Sequence, residues 1–85
     1  MEEILVDTKD LEAPAPMQLV LSALQNVIEG QSYIHQIHRM SPDILLNKLS
    51  NMGYEYIIKK DKDEYHIYIF FPKDKQKVLE KIDNV

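Results

Sequence analysis

Proton chemistry near neutral pH needs a group that titrates there, and this chain carries few of them. It has no cysteine in 85 residues, so no thiolate is on offer as a nucleophile, metal ligand or sulfur carrier. The three histidines, His35, His38 and His66, are the only side chains whose ordinary pKa falls in that range. Two or three of them, converging, could hold a metal ion or a cofactor, although their spacing follows no established zinc or iron pattern. His35 and His38 are three apart, so in a continuous strand they point to opposite faces. If the strand ends near Ile37, His38 lies in a turn and the two can meet, and His66 can approach either. The plainer reading is three surface or half-buried histidines with local hydrogen bonds. No Ser/His/Asp order with a nucleophile elbow, no phosphate-cradling glycine loop and no paired carboxylates stand out. The expectation is therefore no catalysis and no cofactor.

The other conspicuous stretch is Leu11-Glu12-Ala13-Pro14-Ala15-Pro16-Met17. Two prolines sit at the mouth of an amphipathic helix, where a missing N–H costs nothing. Such a helix start presents free amides that can take an anion or a partner's acidic group; alternatively, the prolines only set the angle between loop and helix. Ala13, Pro14, Pro16 and Met17 are the candidate binding residues here. A third cluster, Tyr54, Tyr56, Tyr65, Tyr68 and Phe70, falls on one predicted hairpin. Aromatic residues left uncovered on a sheet face mark an interface, whereas covered ones are simply core.

The elements that position these groups follow from periodicity. Ile4-Leu5-Val6 reads as a strand, and Met17, Val20, Leu21, Leu24, Val27 and Ile28 share one face of a helix that Gly30 ends. Tyr33 to Ile37 is a second strand. Ser41 as cap, Pro42 at the first position and Asp43 at the positive end of the dipole open a second helix. Ile44, Leu45, Leu49 and Met52 are its expected inward residues, with Gly53 ending it. Tyr54 to Lys59 and Tyr65 to Phe71 form a hairpin across Asp61-Lys62-Asp63-Glu64, and Pro72 stops the last strand. Val78, Leu79 and Ile82 give the lysine-rich tail a weak helical pattern.

The order is β-α-β-α-β-β, an α+β two-layer sandwich. It combines a four-stranded mixed sheet with two helices on one face, and a short C-terminal helix is an option. Residues 1–72 form the expected domain and 73–85 a charged tail. Eighty-five residues allow one core. Ten basic against 14 acidic residues, net −4, disfavour nucleic acid and an anionic membrane surface. No signal peptide or bilayer-length apolar run is visible, which leads us to expect a cytoplasmic protein.

The element order and the proline motif together resemble the TusA/SirA-like superfamily. Its members carry Cys-Pro-x-Pro where the first strand hands over to the first helix. Ala13-Pro14-Ala15-Pro16 is the matching run, preceded by Asp7, Leu11 and Glu12, and the resemblance covers about residues 4 to 71. In the sulfur-carrier members the cysteine accepts and passes on a persulfide, with its thiolate favoured by the helix N-terminus. That position is Ala13 here, so the resemblance implies the fold without the chemistry. The chain looks closer to an uncharacterised branch that lacks the cysteine and has a His- and Pro-containing turn before the second helix, to which His38-Arg39-Met40-Ser41-Pro42 is similar. The implied function is a non-catalytic binding domain, acting on a protein partner or on itself. A histidine-based metal or cofactor site is the alternative.

Overall fold

The structure, a computed structural model, describes residues 1–83. Its four-stranded mixed sheet has the order β1-β2-β4-β3, where β1 is Glu2–Asp7, β2 Ser32–His38, β3 Glu55–Asp61 and β4 Glu64–Phe70. Three helices accompany it: α1 at Ala15–Ala23, extended by one 3-10 turn at Leu24–Asn26, α2 at Asp43–Asn51, and α3 at Lys75–Asp83. The α+β architecture agrees with the pattern read from sequence.

β1 and β2 pair in parallel, from Glu2 opposite Ser32 to Asp7 opposite Ile37. This is what a strand–helix–strand unit requires, because a tight turn cannot join parallel neighbours. β4 inserts between β2 and β3, antiparallel to both. β2 and β4 are thus central, and β1 and β3 are edges. The β3–β4 connection is tighter than the sequence pattern suggested. Asp61 pairs with Glu64, leaving a two-residue turn in which Lys62 takes φ +57°, the left-handed backbone that short hairpins demand.

Alternation sorts the strands onto two faces. Ile4 and Val6, Ile34, Ile67 and Ile69 meet α1 and α2 in the main core, with Val20, Leu24, Val27, Leu45, Leu46 and Leu49. α2 does not bury the stripe expected of it. Leu45, Leu46 and Leu49 face inward, while Ile44 is 76% and Met52 51% exposed. The helix begins at Asp43 over its Pro42 cap, so Ile44 stands in the first turn and overhangs a groove. The cap also differs: the Ser41 hydroxyl donates to Asp43 Oδ1 at 2.7 Å, and no side chain caps the helix backbone.

The opposite face carries Tyr33, His35 and Ile37 with His66, Tyr68 and Phe70. α3 lies on one end of it, where Val78 and Ile82, four apart and so on one side, bury Tyr33 and Phe70. The Gly30 N–H donates to Asp74 Oδ2 at 2.8 Å, which fixes the approach to α3. Residues 73–83 therefore belong to the folded unit and supply part of a third layer, where sequence suggested an appended tail. Asn84 and Val85, the end of that tail, lie outside the described residues. Among the described residues no helix is long and apolar enough to cross a membrane.

Candidate functional site

Because β1 and β2 are parallel neighbours in register, the loops that follow them leave the sheet side by side. Each loop then starts a helix, so two segments distant in sequence face one another. Between them lies a groove of about 550 Å³, walled by Leu11–Pro14, Pro16 and Met17 on one side and His38–Leu45 on the other. Its surface is largely aliphatic, with Met17, Met40, Pro42 and Ile44 among the lining side chains. All four residues named from the proline motif line it. Ala13 and Pro14 are exposed, Met17 is half-buried and Pro16 is buried beneath them.

Arg39 ties the two walls together. Its Nη1 donates to the carbonyls of Lys9 at 2.7 Å and Leu11 at 2.9 Å, and its Nη2 lies 3.1 Å from Glu12 Oε1. A planar guanidinium can satisfy several acceptors at once, so the loop before the proline motif is held in place. The α1 start itself has no capping side chain and no acidic residue in its first turn.

His38 is the last residue of β2 and only 6% exposed. Its Nδ1 lies 3.0 Å from the Thr8 carbonyl oxygen and 3.0 Å from Thr8 Oγ1. A carbonyl only accepts, so Nδ1 carries the hydrogen. The Thr8 hydroxyl donates to the Ile37 carbonyl and accepts from Gln36 Nε2. This buried Thr8–Gln36–His38 cluster fixes the ring and its tautomer, leaving Nε2 as a lone pair. Gln36 Oε1 is enclosed without a partner.

His35 and His66 sit on the other face of the sheet. β2 continues through His38, so the opposite-face alternative holds and the three histidines do not converge. His35 Nε2 and His66 Nδ1 are 2.7 Å apart, with one hydrogen shared between the rings. Their outer nitrogens approach carboxylates: His35 Nδ1 is 3.2 Å from Glu3 Oε1 and His66 Nε2 is 3.3 Å from Glu64 Oε1. The first contact is close without being a hydrogen bond, and His35 Nδ1 is enclosed without a partner, while Glu3 Oε1 accepts from the Tyr33 hydroxyl at 3.0 Å. Burial first, and then this bond to Glu3, raises the Tyr33 pKa well above the ordinary phenol value. Tyr68, stacked on His35 with ring centroids 4.5 Å apart, is raised for the same leading reason. Lys9 Nζ donates to Glu64 Oε2 at 3.0 Å, which raises the lysine and lowers the glutamate. Among the described residues no group of three or more His, Cys, Asp or Glu side chains is arranged to hold a metal ion.

Of the aromatic residues named from sequence, one is fully buried and the other four are half-buried. Phe70 is fully buried under α3. Tyr54, Tyr56 and Tyr65 pack against the main core, and Tyr68 against the second. α3 accounts for Phe70 and Tyr68, through a cover of the second face only faintly marked in the lysine-rich tail, whereas Tyr54, Tyr56 and Tyr65 pack in the α1/α2 core.

Sequence reasoning named the proline motif and the His38–Pro42 turn separately and did not join them. The signal that would have joined them is the parallel pairing of β1 and β2, implied by the intervening helix. Thr8 was missed, and nothing in its sequence context marks it. Comparison with protein-family models, curated proteins and solved structures finds no match.

Proposed function

We propose that this protein is a non-catalytic, cytoplasmic binding domain of TusA/SirA-like type, in which the groove between the two helix starts is the binding site. The observation that carries the reading is the groove itself. Its volume lies in the range of small-molecule and peptide-anchor sites, and two sequence-distant motifs build it. It also retains exposed apolar side chains, Met40 at 55% and Ile44 at 76%, that packing would otherwise have covered. Ala13 at the head of the motif leaves no thiol, so the groove holds a ligand or a partner's side chains without forming a covalent bond. The net charge of −4 disfavours nucleic acid as the occupant.

The test uses 1-anilinonaphthalene-8-sulfonate, an apolar fluorophore, as the probe. Ile44→Asp introduces a charge at the groove rim, and Leu5→Asp does the same at a 57% exposed position on the opposite face. The reading expects the wild type and Leu5→Asp to bind alike and Ile44→Asp to bind about tenfold more weakly, a change of about 1.4 kcal/mol. Equal binding by all three proteins contradicts it.

A further inference from the structure

Among the groove's polar lining residues, Glu12, His38, Arg39, Ser41 and Asp43, His38 offers a ring nitrogen of defined chemistry. His38 Nδ1 is committed to the Thr8 carbonyl, whereas Nε2 has no hydrogen-bond partner among the described residues. Nor is Nε2 among the fully enclosed unpartnered atoms, which are His35 Nδ1 and Gln36 Oε1. Nε2 is therefore not fully enclosed, and the cavity that His38 lines is the groove. A ring held through Nδ1–H to a backbone carbonyl, with a free Nε2 lone pair, is the usual state of a metal-ligating histidine. Here it sits in an aliphatic cleft.

Two considerations narrow the occupant. A bare metal ion needs three or four protein donors, and no such group exists among the described residues. An iron already held in a tetrapyrrole needs only one axial protein nitrogen and an apolar cleft around the ring. The groove supplies both, and its volume of about 550 Å³ suits a ligand of that size. Met40 is 55% and Ile44 76% exposed, so these rim side chains stand where a flat apolar ring would cover them.

We infer that the groove is a haem-type tetrapyrrole site in which His38 Nε2 is the axial ligand to the iron. The inference rests on the groove being the binding site. It makes His38 the ligating residue, Thr8 the residue that positions it, and the walls from Leu11–Met17 and Met40–Leu45 the apolar cleft. His35 and His66 take no part, because they lie across the sheet.

The test is titration of the untagged full chain with ferric haem, followed through the Soret band. The expected result is a saturable one-to-one complex with a sharp Soret band. His38→Ala should lower the affinity about tenfold or more, and added imidazole should restore the ligated spectrum. The double variant His35→Ala/His66→Ala should bind like wild type. His38 is buried, so a second measurement needs no substitution: haem with both axial positions filled by imidazole should bind the wild type about tenfold more weakly than free haem. Unsaturable binding, binding unaffected by His38→Ala, or equal affinity for the imidazole-blocked haem each overturns the inference. Fluorophore binding that still depends on Ile44 in that event leaves the groove as a binding site and removes only the tetrapyrrole. Loss of both removes the groove reading as well.

Discussion

Val78→Ala asks whether α3 is a structural layer or an appended tail. Val78 is 0% exposed and packs with Tyr33, Phe70 and Ile82. Removing two carbons from such a site forfeits about 1.6 kcal/mol at about 0.8 kcal/mol per buried carbon. The space left behind adds up to about 1 kcal/mol at about 24 cal/mol per Å³ for a residual cavity of about 40 Å³. The sum, about 2–3 kcal/mol, is a large share of the stability of a domain this size, and it corresponds to a fall in Tm of about 10–20 °C. Ile44→Ala removes more apolar bulk from an exposed position and should stay within about 0.5 kcal/mol of wild type. Urea unfolding followed by circular dichroism measures both, and an unchanged slope for Val78→Ala would show that two-state unfolding persists. A Val78→Ala protein within about 0.5 kcal/mol of wild type would refute α3 as part of the fold. A large loss on Ile44→Ala would refute the placement of Ile44 at the groove rim.

Two pH experiments address the opposite face. The hydrogen bond from Lys9, more than any other influence, holds Glu64 below the ordinary carboxylate range. Its contribution is thus complete above that range and drains away as pH falls through the lower folded-state value. Glu64→Gln should therefore make stability fall less steeply between roughly pH 5 and 3, read as urea midpoints; an identical acid limb would contradict the pairing. Tyr33 and Tyr68 are raised, chiefly by burial, so the folded state favours their neutral phenols. That preference contributes below the ordinary phenol pKa and is lost as pH climbs past it. In an alkaline absorbance titration both should ionise late, and Tyr33→Phe should delete one late step; completion near about pH 10 for all five tyrosines would contradict the burial.

The legible part of the fold was the part encoded by local rules. Pro14 and Pro16 open a helix, Ser41-Pro42-Asp43 opens another, Gly53 takes positive φ where α2 ends, and alternation in Ile67–Phe70 sorts two faces, whereas the first helix and its 3-10 turn stop at Asn26, short of Gly30. The misread parts depend on neighbours. Ile44 and Leu45 are equally apolar, and only the placement of the first turn of α2 over the groove decides which one is buried. Val78 and Ile82 are two apolar residues among lysines, and only a bare sheet face opposite them makes that helix worth forming. His38 extends β2 one residue beyond the apolar run because Thr8, thirty residues earlier, accepts its ring N–H. The candidate site was legible as two separate motifs. Their meeting is a property of parallel pairing, and the fixed tautomer of His38 is a property of one backbone carbonyl.

The groove between the α1 and α2 starts is the proposed binding site of this protein. The most direct test is to add 1-anilinonaphthalene-8-sulfonate to the ¹⁵N-labelled chain and map the backbone amides that shift. The largest shifts should fall within residues 11–17 and 38–45, with the strands around Leu5 and His66 unmoved. Shifts centred on that opposite face, or spread evenly over the chain, would contradict it.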